Sequence, residues 1–176
     1  MRGRKLSKKE QAIEILRQLG VPLAQQNERS ALTLLALLDL DEETPWSEAK
    51  QNSLRIHDIM EFIRTCYGKV YAENTRETIR RQTIHQFEQA GIVVKNPDDP
   101  ARPTNRPRTC YKVTDEAFEA IKRFGTPQWE EYRERFISEK GKLVEKYEKI
   151  KAEQRLSVEI EGMTLSFPQG SIMSFK

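Results

Sequence analysis

Asn74-Thr75-Arg76-Glu77-Thr78-Ile79-Arg80-Arg81-Gln82-Thr83-Ile84-His85-Gln86-Phe87-Glu88-Gln89-Ala90-Gly91 sorts its side chains onto two faces when wound at about 100° per residue. Ile79, Thr83, Phe87 and Ala90 fall on one side, and Thr78, Arg81, Gln82, His85 and Gln89 on the other. An apolar stripe of that period predicts an amphipathic helix whose inner side packs on a core. Asn74 suits its N-cap, with Glu77 placed to reach back to the cap amide in a capping box. Gly91 predicts its end, and Ile92-Val93-Val94 reads as a short strand just beyond it.

The outer face is made for hydrogen bonding to bases. Arginine presents two donors that match guanine and glutamine a donor and an acceptor that match adenine, so Arg81 and Gln82 are the candidates for direct readout, flanked by Thr78, His85 and Gln89. Thr75 completes the set at the helix start, while Arg76 and Arg80 turn toward the flank and suit phosphates. A helix face that only meets water normally mixes Glu with Lys, and this one carries almost no carboxylate. The plain alternative is a solvated polar face.

Moving outward along the chain, Pro97, Pro100, Pro103 and Pro107 exclude regular structure. Arg102, Arg106 and Arg108 between them form a stiffened basic finger suited to a duplex backbone or a minor groove. Thr109 to Val113 predicts the returning strand. From Asn74 to Lys112 there are eight Lys or Arg against four Asp or Glu, a local charge of +4. Such a surface attracts polyanions by releasing their counterions.

Upstream, Ser7 caps a helix carrying Ala12, Ile13, Leu16 and Leu19 that stops at Gly20 before Pro22. Asn27 caps a second, apolar on nearly every side through Leu38, which predicts the centre of the core. Ile56, Ile59, Met60, Ile63 and Tyr67 mark a third, ending at Gly68. Three helices, the Asn74 helix, a strand, a loop and a strand are the order of a winged helix-turn-helix, expected over residues 1–126. A helix carrying Phe118, Ile121 and Phe124 starts at Thr114 or Asp115. A charged connecting helix is expected over 127–155, with a stripe of Trp129, Tyr132, Phe136, Leu143, Tyr147 and Ile150. From Leu156, alternation of Val158, Ile160, Met163 and Leu165 around Gly162 predicts a small β-hairpin. The expected fold class is therefore mainly α.

The 176 residues are 37% hydrophobic and 32% charged, with a formal net charge of +3. Charge is segregated: Arg2, Arg4, Lys5, Lys8 and Lys9 give +5 over the first nine residues, most simply read as a disordered tail, whereas Asp39, Asp41, Glu42 and Glu43 cluster. Cys66 and Cys110 have no metal-ligand spacing and read as small core side chains in a reducing cytoplasm. His57 reads as capping or lining the third helix and His85, taken alone, as a surface residue, neither catalytic. Nothing points to a membrane or a small-molecule substrate. Double-stranded DNA is the expected partner. A homodimer through the long helix is left open, as are a winged-helix transcriptional regulator and a helical protein-interaction module.

Longer strings carry a resemblance. Ala24-Gln25-Gln26-Asn27-Glu28-Arg29-Ser30-Ala31-Leu32-Thr33-Leu34-Leu35-Ala36-Leu37, Thr44-Pro45-Trp46-Ser47-Glu48-Ala49 and the stretch from Asn74 to Gly91 resemble the BsuBI/PstI family of type II restriction endonucleases, with similarity running from about Leu19 through Tyr147. The resemblance implies a helix-turn-helix region followed by a magnesium-dependent PD-(D/E)XK nuclease. This chain resembles the first region only, so no catalytic residue and no cofactor of its own are expected, magnesium belonging to the parent nuclease. Asp41 with Glu48-Ala49-Lys50 is the single acid-x-Lys arrangement below an upstream Asp, and reads as surface. After Leu165-Ser166 the family-like string is lost, and back-translation restores it in a displaced frame. A frameshift near Ser166 is therefore expected, with residues 156–176 the truncated start of the nuclease region.

Overall fold

A computed structural model describes residues 6–97 and 109–162 of the chain. The described part is mainly helical with one two-stranded antiparallel sheet. Helix α1 (Lys8–Gln18) opens with a complete capping box: Ser7 Oγ accepts from the Glu10 amide and Glu10 accepts from the Ser7 amide. Its inner side is Ala12, Ile15 and Leu16, so Ile15 replaces the half-buried Ile13 of the expected stripe. Helix α2 (Glu28–Leu38) begins at the predicted cap, where Asn27 Oδ1 accepts from the Ser30 amide, and every residue from Ser30 to Leu38 is buried. It is the axis of the core. Asp39 ends it in the left-handed conformation at φ 57°, which short polar side chains tolerate best after glycine.

Helix α3 (Ile56–Tyr67) buries Ile56, Ile59 and Ile63 and stops at Gly68, φ 67°. Helices α4 (Thr75–Thr78) and α5 (His85–Gln89) are joined without a break by a π-helical segment, Ile79–Ile84. Strands β1 (Val93–Lys95) and β2 (Tyr111–Val113) pair with Val93 opposite Val113 and Lys95 opposite Tyr111. A further bridge from Leu54 to Tyr111 pins the sheet to the segment entering α3. Helix α6 (Asp115–Ile121) is capped by Thr114, whose Oγ1 accepts from the Ala117 amide and donates to the Gly91 carbonyl.

Helix α7 (Trp129–Gly162) docks through its first turns. Trp46, Phe124 and Trp129 stack edge to face, with ring centroids 5.7 and 5.1 Å apart. Such pairs add about 0.5–1.5 kcal/mol each beyond the area they bury. Trp129 Nε1 donates to Gln18 Oε1 and Lys140 Nζ to the Leu19 carbonyl, so α7 is fastened to the end of α1 at two points. Of the predicted stripe, Trp129 and Phe136 are buried and Tyr132 and Ile150 half-buried.

Four expectations are corrected. The hairpin from Leu156 is not formed, because α7 continues through 156–162. Each residue added to an established helix gains a backbone bond, whereas an isolated two-stranded hairpin is marginal in water. Cys66 is exposed, not core: it lies in the last turn of α3 beside Asp39 and Asp41, past the packed face, while Cys110 is half-buried. Lys8 and Lys9 are not tail. Lys8 is buried, donates to the Thr44 carbonyl and lies over the Trp46 ring, and Lys9 pairs with Glu28 at 2.6 Å. Asn74 forms no capping box, for a reason given below. Arg102, Arg106 and Arg108 of the predicted finger, and the stretch around Ser166 where a frameshift is expected, lie outside the described residues.

Candidate nucleic-acid interface

The 75–89 helix is seated by its inner face. Ile79, Thr83, Phe87 and Ala90 are buried as the helical wheel predicts. Ile84 is also buried, at 1% exposure, although a plain α-helical wheel sets it about 100° from Thr83. The wider π turn draws it inward, and single π turns of this kind recur at functional sites. Arg29 of α2 donates from Nε to Thr83 Oγ1 at 3.1 Å, which gives the buried hydroxyl a partner and ties the helix to the core axis. No composition signal marks a π segment. Adjacent buried β-branched residues, Thr83 and Ile84, are the trace it leaves here.

The opposite face points to solvent. Arg81, 74% exposed at its side chain, lies with Gln82, His85 and Gln89 on the outside, while Arg76 is exposed and Thr75 and Thr78 are half-buried. Arg80 differs from its neighbours. Only 24% exposed, it folds back toward the sheet. Glu77 is the carboxylate that the wheel underweights: its Oε1 accepts from Arg80 Nη2 at 2.5 Å and from Arg81 Nε at 2.9 Å. The two guanidiniums, Arg80 foremost, hold the Glu77 carboxyl below the usual carboxylate range, so it stays ionised. This pairing is what replaces the capping box. A carboxylate bonded to two guanidiniums gains more than one bonded to a single uncharged backbone amide, and Asn74 stays in a turn at φ −70°, ψ −9°.

Between the helix and the sheet lies a concave cleft of about 290 Å³, lined by Arg80, Arg81, His85 and Glu88 from the helix, Lys95 from β1 and Tyr111 from β2. Burial pushes the Tyr111 phenol well above its ordinary value, so it is a neutral wall at any physiological pH. Lys95 was not singled out in the sequence, although its place as the last residue of the strand after the polar helix puts it at the same edge. The cleft is therefore lined by three basic side chains, Arg80, Arg81 and Lys95, against one carboxylate, Glu88.

The family model of the BsuBI/PstI restriction endonuclease HTH domain matches residues 6–145. The chain belongs to this family. It is 45% identical over 161 residues to the type II restriction enzyme BsuBI of Bacillus subtilis, covering 91% of this chain and 51% of that enzyme. It is 32% identical over 150 residues to the type II restriction enzyme AplI of Arthrospira platensis, covering 85% and 46%. Among solved structures, the SdaI restriction endonuclease superposes with a TM-score of 0.71 at 32% identity, over 77% of this chain and 43% of that one. The chain spans about half the length of the curated relatives it matches.

Among the described residues, the magnesium that membership in the BsuBI/PstI family implies finds no matching donor set. Asp41 Oδ1 accepts from Thr44 Oγ1 at 2.7 Å and from the Thr44 and Glu43 amides, so it serves a turn. Glu48 closes a short 3-10 turn, Trp46–Glu48, and Lys50 pairs with Asp39 at 3.4 Å. Among the described residues no group of three His, Cys, Asp or Glu side chains is placed to hold a metal ion. No helix among them is long and apolar enough to cross a membrane.

Proposed function

We propose that this chain binds double-stranded DNA as a winged helix-turn-helix, with α3 and the 75–89 helix as the helix pair, the latter in the major groove and β1–β2 as the wing. The single observation that carries the reading is the two-sidedness of the 75–89 helix. Arg81, Gln82, His85 and Gln89 are exposed together while Ile79, Thr83, Ile84 and Phe87 are sealed in the core. A rigid rod with polar, multidentate side chains on one side is what reading base edges requires.

The cleft supports the same reading. A strand of duplex lying between helix and sheet would meet Arg80 and Lys95 at its phosphates, leaving Arg81 and Gln82 for the bases. Restriction enzymes are the named relatives, so the function proposed is target-site recognition for a type II restriction endonuclease, in the cytoplasm of a bacterium. Residues 1–126 would form the reader and 127–155 the connector. A palindromic target would call for two copies acting together. The described residues are assigned the binding step and not the cleavage step.

The test is a polarisation titration of labelled duplex at two salt concentrations. With about six phosphate contacts, affinity should fall by roughly a thousandfold between about 50 and 200 mM salt. An affinity that ignores salt would sink the proposal.

A further inference from the structure

Arg81 can discriminate guanine only if its fork is held in one orientation, since an arginine on an exposed helix otherwise samples many rotamers. The structure contains a holder. Glu77 lies one helical turn before Arg81 and accepts from its Nε, so the bond engages the nitrogen next to the stem and not the two terminal nitrogens, the pair that matches guanine O6 and N7. Glu77 is itself fixed from behind, because the same Oε1 accepts from Arg80, and Arg80, only 24% exposed, lines the cleft together with Tyr111 of the sheet. The chain of hydrogen bonds runs from Arg80 through Glu77 to Arg81.

We infer that Glu77 is a positioning residue for base recognition, which presets the Arg81 guanidinium to select guanine and at the same time lowers affinity for arbitrary duplex. The second half follows from charge. A carboxylate at the front of a helix facing DNA repels the phosphates that every sequence shares, so it costs nonspecific binding and is justified only by what it does to its arginine partner. The Glu77 carboxyl is held ionised by its two partners, so both effects operate at neutral pH. A plain solvent-facing i,i+4 ion pair, worth a few tenths of a kcal/mol to the helix, would have neither consequence.

The inference rests on the DNA-binding reading, and the experiment separates the two. The full chain and its Glu77→Ala, Arg81→Ala and doubly substituted forms would each select from a randomised duplex pool, followed by sequencing and by affinity measurement on the selected and on arbitrary duplex. Alanine is the best helix former, so Glu77→Ala should fold, and circular dichroism checks it. Expected is a guanine in the wild-type selection whose preference drops about tenfold in Glu77→Ala, with arbitrary duplex bound about two- to fivefold more tightly. In the Arg81→Ala background, removing Glu77 should leave base preference unchanged. Glu77→Gln, which keeps an acceptor for Arg81, should restore part of the guanine preference. A wild type that selects a guanine-containing site equally well without Glu77 overturns the inference while leaving the DNA reading intact. Binding without any base preference overturns it as well. A wild type that binds no duplex overturns both.

Discussion

Arg29 Nε meets Thr83 Oγ1 at 3.1 Å across 54 positions of sequence, and this bond joins α2, buried from Ser30 to Leu38, to the middle of the helix proposed to read DNA. Thr83 is fully buried, in the π-helical segment, so its hydroxyl has no access to water. Thr83→Val keeps the shape and removes the acceptor. It should cost about 1–2 kcal/mol, the usual consequence of depriving a charged donor of its partner at a half-buried site. Urea unfolding followed by circular dichroism measures this. Unchanged stability would mean that the bond does not anchor the helix.

Arg81 and Lys95 are expected to separate sequence reading from phosphate contact. Arg81→Ala should weaken binding to a selected site by about 1–3 kcal/mol and relax preference at one base, with little change on arbitrary duplex. Lys95→Ala should weaken all duplexes alike and reduce the slope of log affinity against log salt by about 0.9. Neither change touches the core, so unfolding stability should change by less than about 0.5 kcal/mol. If Lys95→Ala altered base preference instead, the roles assigned to helix and sheet edge would be reversed.

The residues that give local signals told most of the fold in advance. Asn27 marks the start of α2 and Gly68 the end of α3 because a cap and a left-handed turn are decided by single residues. The inner face of the 75–89 helix was legible for the same reason, since Ile79, Thr83 and Phe87 follow one period. What escaped reading depends on competition between partners. Asn74 and Glu77 satisfy the capping pattern, yet Glu77 has two arginines within reach and they win. Leu156 to Ile160 alternate as a strand would, yet they follow a helix already nearly thirty residues long. Tyr111 completes the cleft only after the chain has returned, which no short window of sequence contains.

Tyr67 gives the protein a sensitivity to alkali. Its hydroxyl donates to the Leu40 carbonyl at 2.8 Å, and burial, then Glu42 and Asp41, raise the phenol above its ordinary value of 10.0. The sign follows from the direction. A raised folded value means that the neutral phenol is favoured in the native state, so the stabilisation is complete below pH 10.0 and is lost as the pH rises beyond it. Tyr111, raised chiefly by burial, acts in the same sense. Stability should therefore fall above pH 10 by as much as about 1.4 kcal/mol per pH unit for each of the two phenols. Tyr67→Phe should remove its share of that slope and lower stability at pH 8 by about 1 kcal/mol through the lost hydrogen bond. Urea midpoints from pH 8 to 11 decide the matter, and identical slopes for the two proteins would refute the assignment.

Gly20 and Lys140 make a joint that can be taken apart with two substitutions. Gly20 turns the chain out of α1 at φ 97°, a conformation that costs a side-chain-bearing residue about 1–2 kcal/mol. A Cβ at this position would also run into Lys140 Nζ, the group that donates to the Leu19 carbonyl. The ammonium is the far end of a flexible side chain and can swing away, but only by giving up that bond. Gly20→Ala should thus lose the backbone term and the Lys140 contact together, whereas Lys140→Met loses the contact alone. The combined protein should be destabilised by less than the sum, because the contact can be lost once only. The unfolding midpoints of the four proteins measure the difference. Strict additivity would show that Lys140 does not clamp α7 to the end of α1, and that the Trp129 bond to Gln18 and the Trp46, Phe124 and Trp129 stack seat it without that contact.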